Sequence, residues 1–265
     1  MAHTSLVILG SGYTARHLLP LAPHRYHRVL ATSRTPETHL GDVPADQRIR
    51  FDLDQPDTWK NIPEQADLLW CFPAVPLDLV QTFSATFDSP TRRIVVLGST
   101  SAYDAGDSQE YPPPWINETA PIDQTKPRVQ GEEFLRQHCG AIVLRIAGVY
   151  GPNRNPLDWI TTGRVGPSRK FVNLIHVDDL ATVCLTALQQ GKPSEAYNVS
   201  DGTPRTWAEI CHMAQQRWGT VPPASTTRDE TGKRIANTKL TNELRCIIQH
   251  PDLYQELDSL RTDTP

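Results

Sequence analysis

The chain has 265 residues, 38% of them hydrophobic and 21% charged, with a formal net charge of −4. That length can bury a substantial core, as one large domain or two small ones. The slightly acidic balance excludes the basic face that nucleic-acid binding needs. No apolar run approaches the roughly 18 residues of a membrane span. The five cysteines (Cys71, Cys139, Cys184, Cys211, Cys246) are scattered, odd in number and without C-x-x-C spacing. They read as free thiols of a reducing compartment rather than a disulfide framework or a zinc site. The histidines lack H-x-x-x-H and H-E-x-x-H spacing, so no metal is expected. No cationic leader precedes the first apolar run, so no signal peptide is visible and the expected location is cytoplasmic.

Short apolar runs alternate along the chain with helix-compatible segments. Leu6-Val7-Ile8-Leu9, Val29-Leu30-Ala31, Ile49-Arg50-Phe51, Leu68-Leu69-Trp70-Cys71, Ile94-Val95-Val96-Leu97 and Ile142-Val143-Leu144 each predict a buried strand. Near-continuous apolar strands belong to a parallel sheet covered on both faces. Ala15–Leu21, Leu77–Phe87 and Val129–His138 predict helices between them. The basic cluster His24-Arg25-Tyr26-His27-Arg28 precedes an apolar run and reads as a solvated loop. Strand alternating with helix predicts an α/β doubly wound sheet. Residues 1–150 form its dinucleotide-binding core in this reading, and 151–265 a smaller, interleaved substrate region.

The first strand runs into Gly10-Ser11-Gly12-Tyr13-Thr14-Ala15, a G-x-G-x-x-A turn that opens a helix. The first glycine permits the tight turn, the second lets backbone approach a pyrophosphate, and the small third residue lets helix and strand pack closely. The helix N-terminus then offers free N–H groups to phosphates. The second strand ends at Ser33-Arg34, where an NAD site would place an acid for the ribose 2′-hydroxyl; Ser and Arg suit the 2′-phosphate of NADP instead. Arg34 as a solvated loop residue is the alternative. Asp52, closing the third strand, either accepts a hydrogen bond from adenine or serves as a helix cap. Phe72 and Pro73, after the fourth strand, complete the expected cofactor set.

Beyond residue 150, Gly151-Pro152-Asn153-Arg154-Asn155-Pro156 is turn-rich. A helix is expected from Asp178, with Leu180, Val183, Cys184, Ala187 and Leu188 on one face and Gly191 as its stop. Thr206 and Glu209 predict a capping box on a further helix ending near Gly219. A Pro- and Thr-rich loop and a short helical tail follow.

Several ordered segments together resemble the extended or atypical short-chain dehydrogenase/reductases, the NAD-dependent epimerase/dehydratase-like family. They are Gly98-Ser99-Thr100-Ser101-Ala102-Tyr103, Leu144-Arg145-Ile146-Ala147-Gly148-Val149-Tyr150-Gly151-Pro152, Asn173-Leu174-Ile175-His176-Val177-Asp178-Asp179-Leu180 and Ala196-Tyr197-Asn198-Val199-Ser200-Asp201. The resemblance implies a catalytic Ser at Ser99. It also implies a Tyr acting as general acid/base, and a Lys four residues later that lowers its pKa. With Glu132 set on the family's helix acid, Gln124 takes the Tyr position and Arg128 the Lys position. Gln cannot exchange a proton, and Arg128 can hydrogen-bond a ribose but cannot act as a base. Tyr103, Tyr111 or Tyr150 could substitute from another direction, and Lys126 is close in sequence, but a packing or solvent role is the first reading of each. Thr100, Tyr103, Arg154, Asn173 and His176 are the expected substrate residues. Arg234 could clamp a substrate phosphate, and the stiff Tyr111-Pro112-Pro113-Pro114-Trp115 could cover the site as a lid.

Two functions follow. One is an NADP(H)-dependent oxidoreductase or epimerase acting on a small hydroxylated or nucleotide-linked substrate. The other is an NADP(H)-binding sensor or partner-binding protein without turnover. A small-molecule substrate is the expected partner, with neither nucleic acid nor membrane, and a homodimer is left open.

Overall fold

A computed structural model describes residues 5–87, 92–104, 108, 110–224 and 230–262. The start of the chain and the middle of the Pro- and Thr-rich loop lie outside the described residues. Seven parallel strands form the central sheet: β1 (Ser5–Leu9), β2 (Arg28–Ser33), β3 (Arg48–Arg50), β4 (Asp67–Trp70), β5 (Ile94–Ser99), β6 (Ile142–Ile146) and β7 (Ala196–Val199). Their order is β7-β6-β5-β4-β1-β2-β3. The chain winds outward from β1 in one direction and from β4 in the other, so the order reverses between them. A crevice opens at such a reversal, beyond the carboxyl ends of the strands.

The apolar runs become strands because both faces of the sheet are covered. On β1, Leu6 and Ile8 join one core with Leu18, Leu180 and Ala181, while Val7 and Leu9 join the other with Trp70, Val80, Phe83 and Leu135. Helix α1 (Tyr13–Leu18) packs against α4 (Val177–Gln190) on the first face. Helices α2 (Leu77–Ser84) and α3 (Pro127–His138) pack together on the second. Helix α1 starts two residues before the expected Ala15 and stops short of Leu21: Leu19 keeps helical backbone as its C-cap, and Pro20, which has no N–H, cannot continue the hydrogen-bond ladder. Helix α3 likewise starts earlier, with Pro127 at a first-turn position where its missing N–H costs nothing.

The second half of the chain contributes to the core as well as to the cleft, since β7 completes the sheet edge beside β6. Helix α5 (Trp207–Trp218) carries the expected capping box: the Thr206 N–H donates to Glu209 Oε2 at 2.6 Å, and the Glu209 N–H donates to Thr206 Oγ1 at 3.1 Å. Gly219 ends it in the left-handed region at φ 66°. Helix α6 (Leu253–Thr262) closes the chain, with Leu253 and Leu257 buried against Tyr150, Ile160 and Ile210. No helix among the described residues is long and apolar enough to cross a membrane.

Candidate active site

Above the β1/β4 reversal lies a cavity of about 690 Å³. The ends of four neighbouring strands line it: Gly10 and Ser11 after β1, Thr32, Ser33 and Arg34 from β2, Phe51 and Asp52 after β3, and Phe72 after β4. Gly10 sits at φ +86°, and a Cβ there would stand 2.9 Å from the Phe72 ring, so the turn tolerates no side chain at this point. The Gly10 N–H donates to Thr32 Oγ1 (2.9 Å) and the Ser11 hydroxyl to the Thr32 carbonyl (3.0 Å), which pins the turn to β2. Gly12 is exposed, and a Cβ built on it meets nothing within 4 Å. The approach to the head of α1 is therefore open, with no side chain capping its first turn. A turn of two glycines whose intervening Ser11 side chain is held back on β2, beside the head of α1 and the cleft, fits a dinucleotide's pyrophosphate.

At the far end of the cavity, Arg34 is exposed and makes no ion pair or hydrogen bond among the described residues. Thr35, Thr38 and His39 line the cavity beside it. The Ser33 hydroxyl accepts the Thr35 N–H (3.1 Å) and lies 3.1 Å from His39 Nδ1. Asp52 keeps one carboxylate oxygen on the Asp54 N–H at 3.2 Å, while its backbone is tied to Thr58 and Trp59. It is thus both a turn residue and part of the cavity wall.

Gly12, Tyr13, Thr14 and Pro73 do not line the cavity. The Tyr13 hydroxyl donates to the Pro152 carbonyl (2.8 Å), and the Arg154 guanidinium lies over its ring at 5.1 Å. Arg154 is thereby brought to the head of α1. Arg234 is held in the ribbon that pairs Arg234–Ile235 with Trp115–Ile116, stacked on the Trp115 ring and donating to the Pro113 carbonyl (2.5 Å). Tyr111 and Trp115 are exposed on this side of the molecule.

Ser99 ends β5 and caps the short turn Thr100–Tyr103, its hydroxyl oxygen accepting the Ser101 N–H at 3.1 Å. Its hydroxyl proton is left to donate elsewhere. Arg128 donates from Nε to Glu132 Oε1 (2.6 Å) and from Nη2 to the Leu97 carbonyl (2.7 Å), leaving Nη1 uncommitted among the described residues. Burial pushes the Glu132 carboxyl up, against the pull of Arg128. Gln124 is exposed in the turn before α3, where its carbonyl accepts from the Gln130 side chain. No hydrogen bond joins Ser99 to Gln124 or Arg128 among the described residues. Thr100 is half-buried and directs its hydroxyl to the Ile146 carbonyl (3.4 Å).

Three expected substrate residues prove to be structural. Tyr103 is turned inward: its hydroxyl donates to Asn198 Oδ1 (2.7 Å) and accepts from Arg145 (2.8 Å), which is itself paired with Glu133. Burial raises its pKa, with Arg145 opposing. Tyr150 is fully buried, so neither tyrosine can reach a substrate. Asn173 spends both ends of its amide on the neighbouring segment, donating to the Lys233 carbonyl and accepting the Ile235 N–H, both at 2.9 Å. His176 is buried and caps α4 through Nδ1. Tyr103→Phe is expected to cost about 1–3 kcal/mol, the penalty for stranding buried partners. A lower denaturation midpoint at unchanged m-value would show it.

A group near Ser99 is signalled in the sequence only through Lys126. Lys126 donates to the Ser101 carbonyl (2.7 Å) and to Asp104 Oδ2 (2.9 Å), while Lys233 pairs with Asp104 and donates to the Thr100 carbonyl (3.1 Å). Burial pushes the Asp104 carboxyl up, but the hydrogen bonds from Lys233 and Lys126 outweigh it and hold the group below its usual value. Asp123 Oδ2 lies 4.0 Å from Lys126 as well, so two lysines and two carboxylates meet beside the end of β5.

No protein-family model matches the chain. It is 28% identical over 169 residues to Protein YeeZ of Escherichia coli, a match spanning 60% of this chain and 59% of that protein. Among solved structures, a short-chain dehydrogenase/reductase superfamily protein from Agrobacterium tumefaciens with bound NAD superposes at TM-score 0.78 with 13% identity, over 97% of this chain and 96% of that one. A dTDP-glucose 4,6-dehydratase from Bacillus anthracis, in complex with NAD, superposes at 0.73 with 13% identity over 98% and 97%. A functionally unknown conserved protein from Silicibacter pomeroyi reaches 0.73 with 24% identity over 98% and 99%. The chain therefore has the Rossmann-type α/β fold of the short-chain dehydrogenase/reductase and epimerase/dehydratase structures.

Proposed function

We propose that this protein is an NADP(H)-dependent oxidoreductase or epimerase of the short-chain dehydrogenase/reductase type, acting on a small hydroxylated or nucleotide-linked substrate. The observation that carries the proposal is the cavity itself, with the Gly10-Ser11 turn at one end and an unpartnered Arg34 at the other. The bound nicotinamide would supply hydride transfer. This chain's own residues bind and orient. Gly10, Ser11 and Gly12 admit the pyrophosphate, Ser33 and Arg34 receive the 2′-phosphate, and Asp52 flanks the adenosine. The Ser99 hydroxyl donates to a substrate oxygen, and Arg128 Nη1 offers a second, permanently charged donor.

The free thiols suit the cytoplasm. A protein that binds the dinucleotide without turnover is the second reading. It is favoured by Gln124 and Arg128 standing where the resemblance calls for Tyr and Lys, since Arg128 is already committed to Glu132. NADPH consumption by the purified protein over a panel of carbonyl compounds and sugar nucleotides separates the two.

For the cofactor, Arg34→Ala is the test. A charge-assisted bond to the 2′-phosphate contributes roughly 1.5–3 kcal/mol, so NADPH affinity should fall by about one to two decades. NADH affinity should stay constant. Calorimetric titration reads both, and equal losses for the two cofactors would refute the assignment.

A further inference from the structure

Outside the dinucleotide cavity, three segments distant in sequence bring imidazoles and carboxylates together. One ligand atom each from His176, Asp178 and His250 lies within 4.8 Å of the others. His176 and Asp178 flank the start of α4, and His250 arrives on the segment leading into α6. Helix α1 adds His17, whose Nδ1 is 2.8 Å from Asp178 Oδ1. None of these residues lines the cofactor cavity.

We propose that His176, Asp178 and His250 bind a divalent cation of the zinc, cobalt or nickel class. Two imidazoles and a carboxylate are the donor set that such borderline ions take, leaving a position for water. His176 Nδ1, which accepts the Asp178 N–H at 3.3 Å and would exchange that cap for the ion, is 3.8 Å from Asp178 Oδ2. Two ligands each about 2.1 Å from one ion would be about 3.4 Å apart at a tetrahedral angle and about 4.2 Å apart in line. The observed spacing falls between these limits. Asp178 divides its work, Oδ1 holding His17 while Oδ2 faces His176.

A second observation comes from His250. Its Nδ1 is buried without a hydrogen-bond partner among the described residues, although Asp179 Oδ2 is 3.2 Å away. A carboxylate behind an imidazole is the arrangement that orients a metal-bound histidine, with the far nitrogen on the ion. Asp179 is itself fixed, because its two oxygens accept the Gln249 and His250 N–H groups at 2.8 and 3.0 Å. The rings of His176 and His250 lie 4.1 Å apart, a close approach for two groups that can each carry charge. The ion would join the head of α4 to the segment that carries α6.

The test is titration of the full-length protein with Co²⁺ under reducing conditions, followed by visible absorption. One equivalent should produce d–d bands without the near-ultraviolet band of a cobalt–thiolate bond, and should raise the melting temperature. His250→Gln, in a loop, should weaken binding by at least about 100-fold, and Asp178→Asn should do the same while retaining a polar partner for His17. Circular dichroism of both variants without metal checks that the fold is kept. No bands at stoichiometric Co²⁺ would overturn the proposal. So would a thiolate band, or undiminished binding in both variants.

Discussion

Gly12→Val is expected to abolish dinucleotide binding while leaving the protein folded. The two halves of that outcome have separate physical grounds. Gly12 is exposed and a Cβ there meets nothing within 4 Å, so the branched side chain disturbs no packing. The same open space at the head of α1 is where a pyrophosphate must approach backbone. Filling it should cost on the order of 100-fold in affinity, about 3 kcal/mol. Calorimetry with NADPH and a thermal melt on one sample would check both halves. Undiminished binding would place the phosphates elsewhere. Gly10 provides the contrast, because its positive φ and the Phe72 ring at 2.9 Å predict that any side chain there damages the fold itself.

Ser99→Ala should lower kcat by on the order of 100-fold, the range for removing one oxyanion-type donor. NADPH affinity should hardly change, since Ser99 does not line the dinucleotide cavity. The hydroxyl is held at the carboxyl end of β5 by the Ser101 N–H, which leaves its proton pointing elsewhere. Single-turnover kinetics on whichever substrate consumes NADPH would measure the change. An unchanged rate would remove Ser99 from the chemistry. Should neither the wild type nor a Gln124→Tyr/Arg128→Lys double variant turn over, the binding-protein reading would gain.

Much of the cofactor end was legible because its signals are local. A strand, two glycines and a helix start occupy one short stretch, and Ser33-Arg34 follows directly on the next strand. The Thr206 and Glu209 capping box is local in the same way. The catalytic end is not. Tyr103 stands four residues after Ser99, in the region the resemblance assigns to substrate, yet the short turn Thr100–Tyr103 carries its ring inward to Arg145 and Asn198. Nothing within that segment announces partners 42 and 95 residues away. Asn173 and His176 border the expected cleft in sequence, but their hydrogen-bond partners are remote or belong to a helix cap. Asp104 and Lys233 carry no such signal, because they join Lys126 only after three loops fold over the end of β5. Thr32, which pins the glycine turn, looks like any β-branched residue in a strand.

The position of β7 has a consequence for how this chain can be made and divided. Strand β6 is buried along its whole length, and the neighbour that satisfies its outer edge does not leave the ribosome until residues 196–199 are synthesised. Until then the nascent sheet carries an unpaired, apolar edge of the kind that invites pairing with other chains. A fragment cut near residue 150 would keep that edge permanently, although it contains every residue lining the dinucleotide cavity. On the proposed function, the cofactor-binding residues are contiguous in sequence, yet the sheet that carries them is completed only by the second half of the chain.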